Sequence, residues 1–273
     1  MSVAALTLDD MARPSPSAWK LVRHQVRFDM LSLVRNPQAR FFTLAMPLGF
    51  LILFCAIFGN GMITGDGLSV HASTYYVANL TAFGIVDVAC MSLAVGLVDL
   101  REAGILRRRQ ATPQPSWVIV SSRALTATLT SVVTGVVLLG VGRLAYGASV
   151  PIGSVPALAV AVAVGSVMFC CLGFALTGFV RSVQATQPVV MSVTMPLFFI
   201  SGVFIPWVII PHWLQHVAVV FPVRHLASAL LSPITTHAGA SPWNISDLAV
   251  LAAWALGSFL VAVRTFSWAP RDL

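Results

Sequence analysis

An all-helical integral membrane protein is the fold class this sequence predicts, and three features predict it. Hydrophobic residues make up 58% of the chain and charged residues only 9%, with a mean hydropathy of +0.88, far from the balance of water-soluble domains. Six apolar windows reach or approach the length of about 20 residues that a helix needs to cross a bilayer. Lysine and arginine fall almost entirely on one side of those windows.

Residues 1–18 hold no apolar core of signal-peptide length and no cleavage-like site, so no removable leader is expected. Trp19, Val22, Val26, Met30, Leu33 and Val34 then recur at three to four residue spacing, with Lys20, Arg23, His24 and Arg27 on the other face. This pattern predicts an amphipathic elbow helix in the membrane interface. A short tail helix in water is the alternative, and it would leave Trp19 and its apolar neighbours uncovered. Asn36-Pro37 ends the element, because proline disfavours helical geometry in the residue before it and lacks an amide donor.

The six windows cover residues 41–58, 75–98, 117–142, 155–180, 188–210 and 246–263. The last has an uncharged core of only 16 residues, from Leu248 to Val263, and spans by borrowing Asn244 to Ser246 and Thr265 to Trp268. Pro47, Pro188 and Pro196 are candidate kink sites, and Ala161 with Gly165 offers a small face for close helix approach. The organisation expected is a tail and elbow over 1–40 and a six-helix transmembrane domain over 41–268. Stretches outside the windows reach about 40 residues at most, too short for a separate aqueous core. No internal repeat is evident, which weighs against an inverted-repeat carrier.

Orientation follows from the cations, because basic loops resist translocation. Arg13, Lys20, Arg23, Arg27, Arg35, Arg40, Arg101, Arg107, Arg108, Arg109, Arg123, Arg181, Arg264 and Arg271 share one side, leaving only Arg143 and Arg224 on the other. Both termini are therefore expected in the cytoplasm, with loops 59–74, 143–154 and 211–245 outside. The net charge of +7 reads as topology and contact with anionic lipid. Nucleic acid is not an expected partner, since the basic residues are not interleaved with stacking aromatics on a polar surface.

Several chemistries lack their residues. The only lysine is Lys20, and no glycine-rich phosphate loop surrounds it, so any ATP must be bound by another polypeptide. An aspartyl intramembrane protease needs two facing carboxylates, whereas Asp87 is the only acidic residue well inside a window. HExxH is absent. His212 and His216 share a helix face but have neither a carboxylate nor a third histidine close in sequence, so an interfacial helix is favoured over a metal site. Cys55, Cys90, Cys170 and Cys171 all lie inside windows, without zinc or disulfide-frame spacing, and read as packing residues. Asp87 itself costs about 3 kcal/mol or more at membrane depth and must face protein or water. It is a candidate for the permeation path, or alternatively a carboxyl neutralised at a helix contact.

Asp99 to Pro113, DLREAGILRRRQATP, carries four arginines between two windows. Gly104 interrupts a possible short helix, Arg107, Arg108 and Arg109 form a carboxylate-facing cluster, and Thr112-Pro113-Gln114-Pro115 stops the segment. From charge alone, a topology signal would suffice to explain the run. However, Arg101-Glu102-Ala103-Gly104-Ile105-Leu106-Arg107-Arg108, followed by Ala111-Thr112-Pro113, resembles the E-x-G-T-L-x-R-x-x-x-T-P pattern of ABC-2 type transport permeases. The daunorubicin-resistance type is the nearest flavour, and Ile105 departs from the threonine or serine usual at its position. A second block agrees: Ser201-Gly202-Val203-Phe204-Ile205-Pro206, then Pro211-His212-Trp213-Leu214, then Phe221-Pro222.

The resemblance implies that residues 99–115 are similar to a coupling helix seated in a cleft of an ATPase subunit. Arg101, Glu102, Gly104, Leu106, Arg107, Arg108, Arg109, Thr112 and Pro113 would belong to that contact, the arginines pairing with charge and Glu102 fixing the short helix or pairing back. Residues 206–222 resemble an outer re-entrant or interfacial segment. Pro206 and Pro211 are expected to break the fifth helix, and Trp213, Leu214, Val217, Ala218 and Phe221 to form an apolar stripe before Pro222. Ser201, Gly202, Phe204, Pro206, Trp213, Phe221 and Pro222 become candidate path or outer-gate residues beside Asp87. A non-functional amphipathic connector is the plainer reading of this segment.

The function implied is the permease subunit of an ATP-binding-cassette exporter in a bacterial inner or plasma membrane, without enzymatic activity of its own. No cofactor is expected in this chain, ATP and magnesium belonging to the partner. Two ATPase copies, a second permease of the same or a related chain, membrane lipid and a hydrophobic or amphipathic substrate are the implied partners. Drugs, antibiotics, lipids and glycolipids all fit that substrate description. A proton-coupled carrier using Asp87, or a membrane-embedded enzyme, is the competing class.

Overall fold

The computed structural model describes residues 18–59, 61–65, 68–105, 117–148, 151–180, 182–235 and 241–265. Leu106, Arg107, Arg108, Arg109, Thr112 and Pro113 lie outside these described residues, as does Arg181. Helix α1 (Ala18–Arg35) precedes the first span, α2 (Phe41–Phe58). A hairpin of β1 (Met62–Gly65) and β2 (Leu68–His71) follows, pairing antiparallel with Met62 opposite His71. Next come α3 (Ala72–Glu102), α4 (Trp117–Tyr146), α5 (Val155–Thr177) and α6 (Val183–Ile200). The chain closes with α7 (His212–Ala218), α8 (Pro222–Thr235) and α9 (Ile245–Thr265). Among the described residues, six helices, α2 to α6 and α9, are long and apolar enough to cross a membrane, and the bent pair α7 and α8 passes the same test only when taken together.

Helix α3 is the centre of the molecule. Every residue from Ala72 to Val86 is buried, enclosed by α2, α4, α5 and α8. A wide π-helical turn over Asp87–Ser92 interrupts it, and its second half then lies against α5 and α6. Helix α9 runs along α5. Such turns satisfy the backbone within the helix while shifting the face it presents, which suits a helix whose two halves have different neighbours.

The elbow forms as its periodicity predicts, and Asn36 separates it from the Pro37–Arg40 turn that leads into the first span. Its apolar stripe is divided, however. Val22 and Val26 pack on Val118 of α4, with Met30 beside them, whereas Trp19 and Val34 remain exposed. Asp29 adds an ion pair with Arg123 Nε at 3.6 Å and accepts from Gln25 Nε2, so a polar contact also fastens the elbow to α4.

Three expectations from the sequence change. The fifth span is Val183–Ile200, shifted toward the N-terminus of its window, with Pro188 and Pro196 inside it. It stops before Pro206: Gly202 adopts φ +86°, and Val203 N–H bonds to Phe198 C=O, a left-handed helix cap that glycine favours. Pro206 and Pro211 therefore lie in the connection beyond the helix and do not break it. Pro222 opens a second helix where an ending was expected, its ring fitting the first turn, which needs no amide donor. Helices α7 and α8 meet at a bend of 96°. The hairpin of β1 and β2 is an additional departure from an all-helical chain.

Backbones come close where glycine permits it. A Cβ on Gly165 would sit 2.5 Å from Leu226 Cδ1, so the small face of Ala161 and Gly165 receives α8. A Cβ on Gly173 would sit 2.6 Å from the carbonyl oxygen of Cys90, within the wide turn of α3. Gly173→Val is therefore expected to destabilise the protein by about 1–3 kcal/mol. Thermal unfolding of the detergent-solubilised chain checks this, with Gly257→Ala, which meets nothing within 4 Å inside α9, no less stable than wild type.

Candidate functional site

The chemistry-bearing groups form three assemblies along α3. At its C-terminal end, Arg101 is only 1% exposed, and its two terminal nitrogens donate to Thr177 C=O at 3.0 Å and Val180 C=O at 2.6 Å. Those carbonyls lie where α5 has run out of amide donors, and the cation also opposes the negative end of that helix. Glu102 is exposed, and its Oε1 accepts from Val183 N–H at 3.0 Å, at the start of α6. Gly104 follows with φ +67°, turning the chain away. Of the coupling residues predicted from sequence, Arg101 thus acts inside this chain on α5, while Glu102 stands at the surface against α6.

In the middle, Phe204 is the hub of an aromatic cluster. Its ring centroid lies 5.4 Å from Phe83, 5.8 Å from Phe198, 5.3 Å from Phe199, 6.0 Å from Phe50 and 5.7 Å from Phe54. Buried Ser201 and left-handed Gly202 deliver Phe204 into this cluster from the end of α6. Asp87 sits one helical turn beyond Phe83, about 6 Å along the axis. It is half-buried, and no hydrogen bond or ion pair reaches it among the described residues. With Met91, Val95 and exposed Asp99 it forms the less covered face of α3.

At the N-terminal end of α3, Tyr75 ties the connection after α6. Its hydroxyl donates to Gly202 C=O at 2.6 Å and accepts from Trp207 N–H at 3.0 Å. Arg224 of α8 lies with its guanidinium carbon 3.7 Å from the Trp207 ring centroid, a cation–π contact. Beside it, His225 Nδ1 is 2.7 Å from Asp247 Oδ1 and Nε2 is 2.7 Å from Val219 C=O, joining α8 to α9. A carbonyl only accepts, so Nε2 carries a proton, and a further proton is shared between Nδ1 and the carboxylate. Asn244 donates to the second oxygen of Asp247.

Among the sequence-predicted gate residues, Ser201, Gly202 and Phe204 gather around Tyr75 and the aromatic hub. Pro206 leads into the Trp207–Ile209 turn, and Pro222 and Phe221 lie at the α7–α8 bend. Trp213 is 69% exposed on α7. His216 Nδ1 meets the carbonyl of His212 at 2.7 Å, within its own helix. Sequence reasoning missed Tyr75, Trp207, Arg224, His225 and Asp247. Arg224-His225 within a run spaced like a helix, Pro222, Val223, Leu226, Leu230 and Ile234, was the available signal.

Comparison with known proteins agrees with this architecture. The chain is 20% identical over 200 residues to YvfS of Bacillus subtilis (strain 168), which carries the name of a transport permease; the match covers 73% of this chain and 80% of that protein. Residues 21–234, from the elbow to the end of α8, match the family model described as ABC-2 type transporter. With the family match spanning most of a multi-pass helical chain, this protein belongs to the ABC-2 type transporter family, as a membrane transport permease.

Proposed function

We propose that this chain is the membrane-spanning subunit of an ATP-driven exporter, two copies of a separate ATPase moving a path shared with a second permease. The end of α3 bearing Glu102 would face the cytoplasm, with both termini, in a bacterial inner or plasma membrane. The cargo would be hydrophobic or amphipathic, a drug, antibiotic, lipid or glycolipid, consistent with the few charges along α3.

One observation carries this reading: α3 holds α6 at both ends. Glu102 caps its first turn, and Tyr75 bonds the glycine that ends it. Arg101 adds the end of α5 to the same clamp. A displacement applied to the segment after Glu102 would therefore move α3, α5 and α6 together and reach Phe204, where the aromatic hub would close the path. Asp87, one turn from that hub and without a partner among the described residues, would meet cargo or water in the path. The segment 106–113 supplies the remaining charges for an ATPase cleft.

A mild-detergent pull-down from the native host is expected to recover a P-loop ATPase with the wild-type chain and lose it with Glu102→Ala combined with Arg107→Ala. Recovery with neither, from folded chains, would move the assignment to a carrier or an enzyme. Arg101→Ala, which uncaps two buried carbonyls, is expected to lower stability by about 1–3 kcal/mol in thermal unfolding while the ATPase still co-purifies. Asp87→Asn is expected to slow ATP-dependent export about tenfold with the ATPase still bound, about 1.4 kcal/mol of barrier. Export at the wild-type rate would remove Asp87 from the path, and export that survives loss of the ATPase but stops when the proton gradient collapses would favour the carrier.

A further inference from the structure

A cavity of about 250 Å³ opens at the N-terminal end of α3, lined by Gly65, Tyr75, Trp207, Arg224, Ser228 and Thr235 among others. Its walls come from the β1–β2 hairpin, the turn after α6, and α8. We propose that this cavity is a binding site for an oxyanion, a phosphate or carboxylate group, held by Arg224.

The argument begins with charge. Arg224 is half-buried, and no carboxylate lies within ion-pair distance of it among the described residues. The neighbouring acid, Asp247, is already engaged through both oxygens, one toward His225 Nδ1 and the other toward Asn244. Because His225 and Asp247 are bonded to each other, Asp247 offsets the guanidinium charge only from beyond ion-pair distance, across a partly desolvated wall, an arrangement that an anion in direct contact relieves. Cation–π stacking on Trp207 uses the face of the guanidinium and leaves its planar fork of N–H donors at the edge, the geometry that takes an oxyanion in two parallel bonds.

The other polar groups sort themselves. Tyr75 is engaged on both sides of its hydroxyl, and Thr235 Oγ1 donates to Leu231 C=O, so both serve the wall. Ser228 Oγ accepts from Asn244 Nδ2 at 3.4 Å and keeps its own proton to donate. Of these polar groups, Arg224 and Ser228 are therefore the donors offered to a ligand. The volume falls below the roughly 300–1,000 Å³ of pockets for whole drug-sized molecules, and so suits a head group or a free anion.

Titration calorimetry of the purified chain in an uncharged detergent tests this without ATP or an ATPase, so its failure leaves the exporter reading in place. The probes are dihexanoyl phosphatidic acid, inorganic phosphate, and dihexanoylglycerol, which has the same tails and no charge. The expected result is saturable binding of the phosphatidic acid at one site per chain, none of dihexanoylglycerol at that site, and a loss of at least about tenfold in affinity in Arg224→Gln. Ser228→Leu, which keeps Arg224 and fills the cavity, is expected to lose binding too, and size-exclusion elution shows that each variant is folded. Displacement by inorganic phosphate at comparable affinity makes the ligand a free anion, and resistance to it makes the ligand a lipid head group; both outcomes support the oxyanion site. Wild-type affinity in both folded variants, or no saturable binding of either anionic probe, overturns it.

Discussion

The rest of the structure depends on the enclosure of α3. Within a bilayer, apolar side chains gain little by leaving lipid for protein, so helices associate through close packing and interhelical hydrogen bonds. A helix buried on every side from Ala72 to Val86 therefore needs neighbours that fit it closely. Two of its polar side chains bond back onto the helix itself: Asn79 donates to Tyr75 C=O and Thr81 to Val77 C=O. Bonded within the same helix, they demand no partner from the surrounding spans.

Where α3 must reach another element, it does so through backbone groups at helix ends. Arg101 and Glu102 meet the end of α5 and the start of α6; Tyr75 meets the turn that closes α6. These are the positions at which a helix has unsatisfied carbonyls or amides, so one side chain there fixes an entire element. Between those bonds, α3 and α6 also meet through apolar packing, as where Phe83 lies 4.9 Å from Phe198 between ring centroids, a contact that permits sliding far more readily than a shared hydrogen bond. Placing the directional bonds at the two ends and the non-directional packing between them makes α3 and α6 a coupled pair.

Charge is used sparingly and in distinct ways. Asp29 and Arg123 fasten the elbow to α4, His225 and Asp247 fasten α8 to α9, and Arg101 is consumed by carbonyls. Asp87 and Arg224 differ from all of these, the first half-buried on the less covered face of α3 and the second in the wall of a cavity. A membrane protein retains a charge with no opposite charge beside it, as at these two positions among the described residues, at the expense of stability, which is why they carry the functional arguments.

Hydropathy over windows of span length was enough to read six membrane helices, and the spacing of Val22, Val26 and Met30 was enough to read the elbow, because both patterns are local properties of the chain. The block around Glu102 marked the connection between α3 and α4 and the block around Gly202 the connection after α6, and with them the family, for the same reason. Helix α8 escaped because Arg224, His225 and its short length suppress the hydropathy on which spans are recognised. The end of α6 was misplaced because Gly202, and not the more conspicuous Pro206, takes the left-handed turn. What the sequence by itself determined was the membrane class, the number of spans and the location of the charged connections. Only the tertiary structure decided that Arg101 faces inward, that Tyr75 grips Gly202 from 127 residues away, and that Asp247 is taken by His225 and Arg224 is not. Those pairings join groups far apart in the chain, and their energies depend on distances that arise only once α3 has been surrounded.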